Sequence, residues 1–146
     1  MHGTFRHPRH MRNEIHYFEK ELEVTESLLH GRGILTRIEI PADQIICIIE
    51  GEVIDEAECI RREDEEGNVY IFCNGDNYID TIKTTVIKNL NHFCNPNCYV
   101  DDRDESSLVL VSERDIKAGE ELTIDYDYEE IYEHCNCEVC KNRKAV

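Results

Sequence analysis

The stretch Asn91-His92-Phe93-Cys94-Asn95-Pro96-Asn97-Cys98-Tyr99 decides how the rest of this sequence is interpreted. It lies between two segments with the pattern of β-strands, yet it is rich in amides, turn formers and thiols, which the interior of a strand or helix normally lacks. A plain surface loop, in which an Asx-Pro turn caps a strand, would have this composition. A buried loop with a functional role would have it too, so the stretch alone leaves both interpretations open.

Two distant segments favour the functional interpretation. The first is Gly119-Glu120-Glu121-Leu122-Thr123-Ile124-Asp125-Tyr126, and the second is Cys135-Asn136-Cys137-Glu138-Val139-Cys140. Together with the central loop they resemble the SET-domain family of protein lysine methyltransferases. Three motifs in this order are much more specific than any one of them alone. The resemblance extends from about Leu22 to Cys140, nearly the whole chain.

The sequence departs from the family motifs at identifiable places. The family loop is Asn-His-Ser-Cys-x-Pro-Asn, and Phe93 replaces its serine. The next motif is Gly-Glu-Glu-Leu-Thr-(aromatic)-Asp-Tyr, and Ile124 replaces its aromatic residue, which tunes how many methyl groups are added. Lys88 and Asn89 occupy the places of a family Arg-Phe pair that contributes a cofactor contact. The zinc-binding post-SET tail is usually Cys-x-Cys-x4-Cys, and its last gap is shorter here.

Composition limits the class of protein and its partners. Of the 146 residues, 40% are hydrophobic and 33% charged, as expected for one globular domain. The net charge of -16 repels nucleic-acid phosphates and suits a basic partner such as a histone tail, although solubility alone would also explain it. Neither a membrane span nor a secretory signal is visible. We therefore expect an intracellular protein that binds neither nucleic acid nor membranes directly, placed in the nucleus on chromatin if eukaryotic and in the cytoplasm if prokaryotic.

The hydrophobic pattern predicts a mainly β domain of many short strands and few helices. Strands are expected around Leu22, before Pro41 and over Ile45 to Ile49, and a helix over Asp55 to Glu66 is expected to end at Gly67. Two hairpins are predicted, one pairing 69–72 with 77–82 and the other pairing 99–101 with 107–112. A last strand is predicted over 122–126, and a short N-terminal helix over 13–21.

The resemblance implies a SET fold of several small curved sheets with a pseudoknot, in which one segment threads a loop formed by another. It divides the chain into a partly disordered leader at 1–21, a SET domain at 22–130 and a post-SET tail at 131–146. The inserted segment of the SET domain would lie at about 55–90. We expect the central loop and the strand end at 126–128 to converge.

The eight cysteines, without a secretory signal, indicate metal binding or reduced thiols rather than disulfides. Cys135, Cys137 and Cys140 are spaced so that one short loop could hold zinc through three thiolates. In the family the fourth ligand is the cysteine of the central loop, here Cys94, while His134 and Cys98 are competing candidates. The alternative is that the thiols of the tail bind no metal. Cys47, Cys59 and Cys73 are expected to be packed against other side chains or to have no functional role.

The resemblance implies methyl transfer from S-adenosylmethionine to a lysine amine of a protein. It makes Tyr126 the catalytic residue, whose hydroxyl would lie beside the transferred methyl group. The cofactor would be held by Gly31, Arg32, Gly33, Tyr78, Asn91, His92 and Tyr126. Without the resemblance, the glycine pair would be a hairpin turn, Tyr126 a core tyrosine and His92 a structural histidine.

The substrate implied by the resemblance is a basic, histone-like peptide that adds as a strand near 69–72 and 129–132. The acidic residues Glu129, Glu130 and Glu133 would favour basic residues beside the target lysine. Two other functions remain open: a SET-like module that binds a basic peptide or the cofactor without turnover, and a small zinc-stapled interaction protein. The target lysine, the number of methyl groups, the organism and the oligomeric state cannot be predicted from this sequence.

Overall fold

The computed structural model describes residues 18–29 and 31–125 of the chain. Within them the fold is mainly β, as predicted, with short strands arranged in four small sheets and a single α-helix. The strands are β1 Leu22–Glu26, β2 Arg32–Thr36, β3 Ile45–Glu50, β4 Glu52–Ile54, β5 Ile71–Asn74, β6 Asn77–Asp80, β7 Asn91–His92, β8 Cys98–Asp104, β9 Ser107–Ser112 and β10 Thr123–Ile124. The helix, α1, is Glu56–Glu66.

The core is built on the three-stranded sheet with order β3-β9-β8. All six residues of β9 are buried because it is the central strand and is covered on both faces. Ile46, Ile49 and Leu110 are fully buried. Burial of this much branched aliphatic surface is the main stabilising contribution to the domain.

The inserted segment consists of α1 and the antiparallel sheet with order β4-β6-β5. The helix begins and ends where the sequence predicts, because the Asp55 carboxylate accepts a hydrogen bond from Glu58 N and Gly67 adopts the left-handed conformation with φ 65°. Arg62 on α1 donates to the Asp80 carboxylate of β6 at 2.8 Å. The helix and the sheet are therefore linked by an ion pair as well as by packing.

Two small sheets complete the described fold. Strands β1 and β2 form an antiparallel hairpin across the glycine turn. Strands β7 and β10 pair in parallel, with Asn91 opposite Thr123 and Ile124 opposite His92. This pairing joins the two motif segments that the resemblance placed together, while the threading of one segment through a loop of the other stays a prediction.

Several predicted bounds were shifted. The first strand of the inserted hairpin starts at Ile71 rather than Val69, because Tyr70 N donates to the side chain of Asn68 instead of a neighbouring strand. Strand β8 continues to Asp104, so the acidic turn is shorter than predicted. Of the proposed N-terminal helix, only a 3-10 turn at Glu19–Glu21 lies in the described residues.

Among the described residues, no helix is long and apolar enough to span a membrane.

Candidate active site

The parallel pair β7–β10 is the centre of the candidate site. Phe93 N extends the pairing by donating to Ile124 O at 3.0 Å. Asn91 and His92 are both buried, although each carries a polar side chain. Strand β10 leads directly into Asp125 and Tyr126, and Tyr126 lies outside the described residues.

The side chain of Asn97 fixes the position of β10. Its Nδ2 donates to Glu121 O at 2.9 Å, and its Oδ1 accepts from Thr123 N at 2.9 Å. The amide therefore bonds to the backbone on both sides of Leu122, as a neighbouring strand would. Asn97 is only 2% exposed, so water cannot replace these hydrogen bonds.

A second, partly buried hydrogen-bond network joins β7 to the glycine turn. Asn91 Nδ2 donates to Arg32 O at 2.9 Å and to Glu121 Oε2 at 2.9 Å. The same carboxylate accepts from Ser27 Oγ at 2.8 Å. Asn91, Arg32 and the glycine turn thus form one hydrogen-bonded unit.

The two glycines of that turn are required for different reasons. Gly31 has φ 51° and open space where a Cβ would stand, so it supplies the left-handed turn without blocking the surface. A Cβ on Gly33 would overlap Glu121 Oε2. Gly33 therefore makes room for a carboxylate of the protein itself.

His92 lies between a thiol and a carboxylate. Its Nε2 is 3.4 Å from Cys94 Sγ, and its Nδ1 is 3.7 Å from Asp125 Oδ1. The imidazole is therefore oriented by residues on both of its sides. Asp125 belongs to the strand end that leads to Tyr126, so His92 connects the central loop to that end.

A cavity of about 650 Å³ opens beside these strands. Its walls come from the inserted segment, from β8 and the residues before it, and from the end of β10. They include Tyr70, Phe72, Tyr78, Lys88, Leu90, Pro96, Tyr99, Ile124 and Asp125. Burial raises the pKa of the Tyr78 phenol. A phenol is a hydrogen-bond donor at neutral pH with or without this shift. The carboxylates of Glu63, Asp102 and Glu113 also line the cavity, which makes its surroundings acidic.

Cys94 and Cys98 differ in their suitability as metal ligands. Cys94 is partly exposed, while Cys98 is 1% exposed and burial raises the pKa of its thiol. A metal ligand must be a thiolate, which favours Cys94. Residues 18–29 and 31–125 contain no group of three or more His, Cys, Asp or Glu side chains that could hold a metal. Cys135, Cys137, Cys140 and His134 lie outside them.

The structure brings some of the predicted site residues together and separates others. Asn91 contacts Arg32, and His92 lies close to Asp125, while Tyr78 lines the cavity with Ile124 and Asp125. The cavity wall does not include the glycine turn or the Asn-His pair, that is Gly31, Arg32, Gly33, Asn91 and His92. The sequence interpretation gave no role to Glu121 or Asn97. Both belong to the quoted motifs, so those motifs were the available signal.

Comparison with known proteins agrees with this architecture. Residues 31–127 match the SET domain family model. The chain belongs to the SET-domain family.

Its relatives are much longer proteins. It is 31% identical over 127 residues to a histone-lysine N-methyltransferase, H3 lysine-4 specific, of Mycosarcoma maydis, covering 80% of this chain and 9% of that protein. It is 31% identical over 137 residues to human histone-lysine N-methyltransferase SETD1B, covering 86% and 7%. It is 33% identical over 134 residues to histone-lysine N-methyltransferase trithorax of Drosophila melanogaster, covering 84% and 4%. The chain thus spans less than a tenth of the length of these relatives.

Proposed function

We propose that this chain transfers a methyl group from S-adenosylmethionine to a lysine side chain of a protein. The observation that carries the proposal is the parallel pairing of Asn91–His92 with Thr123–Ile124 beside a large cavity. It brings together the two motif segments that a SET-type active site needs. The relatives, which are named histone-lysine N-methyltransferases, support the same reaction class.

The residues of the cavity fit this cofactor. A volume of about 650 Å³ is in the range of small-molecule sites. S-adenosylmethionine supplies a methyl group on a positively charged sulfonium. The Asp125 carboxylate in the wall favours such a cation, and the Lys88 ammonium suits the carboxylate of the cofactor. Replacing the family arginine by lysine therefore keeps a positive charge in the cavity wall.

We assign cofactor binding to the glycine turn, the Asn-His pair and two tyrosines; among the described members of this set, Tyr78 lines the cavity and the others lie outside its wall. These residues are Gly31, Arg32, Gly33, Tyr78, Asn91, His92 and Tyr126. Buried Asn91 and His92 are oriented before a ligand arrives, because each is held by hydrogen-bonding or charged neighbours. Preorganisation of this kind lowers the entropy cost of binding and aligns the reacting atoms.

Tyr126 is the proposed catalytic residue. A lysine can attack only as the neutral amine, whereas its reference pKa is about 10.4. The apolar walls Leu90 and Ile124 disfavour the charged amine and so promote its deprotonation. The Tyr126 hydroxyl would accept a hydrogen bond from the amine and align it.

The proposed substrate is a basic, histone-like tail. Strand β5 is at the edge of its sheet, and Ile71, Phe72 and Cys73 line the cavity. An extended peptide could add to this edge as a further strand. The surrounding carboxylates favour a cationic peptide, and a nuclear, chromatin-bound location would follow from such a substrate.

The proposed domain arrangement keeps a SET domain at 22–130, with its insertion at about 55–90, and a zinc-binding tail at 131–146. The ligands would be Cys94, Cys135, Cys137 and Cys140, whose thiolates match the preference of zinc. Purified protein should contain equimolar zinc by atomic emission, and Cys137→Ser should lose it while Cys73→Ser keeps it. Folded wild type without zinc would overturn the zinc assignment.

Transfer itself is tested with histones and radiolabelled S-adenosylmethionine. We expect wild type to label a lysine, identified by mass spectrometry. Tyr126→Phe should lose about 100-fold or more in rate. Its affinity for the cofactor in calorimetry should change much less, because the ring that would contact the cofactor is kept. Tyr17→Phe, outside the proposed SET domain, is the matched control. Cofactor or histone binding without any transfer would instead support a binding module that lacks turnover.

A further inference from the structure

Glu121 lies at the junction of three segments that are distant in sequence. Its Oε1 accepts from Ser27 Oγ at 2.8 Å, and its Oε2 accepts from Asn91 Nδ2 at 2.9 Å. Ser27 belongs to the glycine turn, and its Oγ also accepts from Leu29 N at 2.9 Å. One carboxylate therefore connects the turn before β2, the strand β7 and the segment that leads to β10.

The backbone sets the position of this carboxylate. Leu122 N donates to Ile34 O at 2.7 Å, and Glu121 forms an isolated bridge with Leu35. This pairing holds Glu121 against β2, where Gly33 has no side chain to oppose it. The overlap between Oε2 and the position of a Gly33 Cβ shows how tightly the space is filled.

The carboxylate fixes the orientation of the Asn91 side chain. Both partners of Asn91 Nδ2, Arg32 O and Glu121 Oε2, are acceptors, so the amide nitrogen must face them. Asn91 Oδ1 consequently points to the opposite side. Any ligand group that meets the amide on that side must be a hydrogen-bond donor, such as an ammonium.

We propose that Glu121 is a positioning residue for the cofactor: it acts through Asn91, whose amide it orients toward a donor group of the ligand. This inference rests on the proposed function, because it takes the Asn91 segment as part of the S-adenosylmethionine site. Glu121 itself does not need to touch the cofactor. It joins the glycine turn and β7 so that both keep one fixed arrangement.

The test is calorimetric titration of S-adenosylmethionine into the full chain and its variants. Glu121→Ala should weaken binding about tenfold or more, because Asn91 loses a charged acceptor that orients it. Glu121→Gln should bind within about threefold of wild type, since its amide oxygen can still accept from Asn91 and its amide nitrogen can donate to Ser27 Oγ. Glu39→Ala is the matched control, because this glutamate is exposed and has no role in the proposed site. It should bind within about twofold of wild type.

A double-mutant cycle separates positioning from a general structural role. In the Asn91→Ala background, adding Glu121→Ala should weaken binding by less than about twofold, because the residue through which Glu121 acts is already absent. Independent, multiplying losses would overturn the proposal, as would wild-type affinity in Glu121→Ala. If Glu121→Ala does not fold, Ser27→Ala takes its place in the titration, with a loss of about threefold expected and no loss contradicting the inference. No binding by wild type would overturn the proposed function itself, and with it this inference.

Discussion

Replacing Asp80 by asparagine should remove a large part of the stability of the inserted segment. The Asp80 side chain is 1% exposed. Its Oδ2 accepts from Arg62 at 2.8 Å and from Asn68 Nδ2 at 2.9 Å, and its Oδ1 accepts from Ile82 N at 2.9 Å. Asparagine has the same shape but only one oxygen, so at least one of these donors would face its amide nitrogen.

The magnitude follows from that mismatch. A buried donor without an acceptor costs about 1–3 kcal/mol, and loss of the charge weakens the remaining hydrogen bonds by about a further 1 kcal/mol. Arg62 is not left unpaired, because Glu52 and Glu58 also accept from it. We therefore expect Asp80→Asn to cost about 3 kcal/mol, which lowers Tm by about 10 °C in a chain of this length.

The pH dependence gives an independent check on this reasoning. Burial on its own would raise the pKa of Asp80, but hydrogen bonds from Ile82 N, Arg62 and Asn68 outweigh it and hold the pKa below the ordinary 3.8. The charged form thus stabilises the fold above pH 3.8, and this contribution is lost as the pH falls through the lowered pKa. The difference in Tm between wild type and Asp80→Asn should therefore narrow on going from pH 7 toward pH 3.

Thermal unfolding followed by circular dichroism measures both quantities. Asp76→Asn is the matched control: Asp76 is exposed in the hairpin turn, and its replacement should cost less than about 0.5 kcal/mol. A drop of less than about 3 °C for Asp80→Asn at pH 7 would refute the hydrogen-bond argument. A difference in Tm that is constant between pH 7 and pH 3 would refute the pKa argument.

Three further changes test other parts of the structure. Gly33→Ala should push the Glu121 carboxylate away from Asn91, so calorimetry should show cofactor binding weakened about tenfold; Gly67→Ala, strained at φ 65° but remote in sequence from the site, should leave binding unchanged. Asn97→Asp places an oxygen against Glu121 O, so urea unfolding should show that the free energy of unfolding falls by about 3 kcal/mol. The control Asn95→Asp changes an exposed residue and should leave the stability unchanged; equal stability of the two variants would contradict the role of Asn97. Alkylation at pH 8, mapped by mass spectrometry, should modify exposed Cys73 before the buried thiols, because burial raises the pKa of Cys47 to about 12 and that of Cys59 to about 11. Faster labelling of Cys47 or Cys59 than of Cys73 would contradict the burial of these two thiols.

The local elements could be predicted from the sequence because their signals lie within a few residues. The Asp55 cap and the Gly67 stop define α1, and Asn74-Gly75 marks the hairpin of β5 and β6. The continuous apolar pattern of β3 and β9 indicates buried strands. Most errors lay at strand ends, such as Tyr70, where a side-chain acceptor on Asn68 replaces the pairing with a neighbouring strand. The described part of the predicted N-terminal helix is a 3-10 turn.

The site could be predicted only in part. The motifs predicted that the central loop and the strand end at 126–128 converge. The β7–β10 pair joins the described parts of the two motifs, and the convergence at 126–128 stays a prediction. No local pattern could show that a side chain at Gly33 would collide with the Glu121 carboxylate. Nor could it show that the side chain of Asn97 bonds to the backbone around β10. These contacts join residues that are 88 positions apart, from 33 to 121, and 26 positions apart, from 97 to 123. Propensity and periodicity carry no information over such separations.

The small size of β7 and β10 explains why side chains dominate this site. Each strand has two residues, so a few backbone hydrogen bonds hold the pair, and a short parallel pair is weak by itself. Asn97 and Glu121 supply the missing constraints, because one fixes β10 to the central loop and the other fixes β7 to the glycine turn. These two constraints meet at Glu121, because Asn97 bonds to the backbone of Glu121 and Asn91 bonds to its side chain. Because both hydrogen bonds go to Glu121, the positions of β7 and β10 are coupled through this residue.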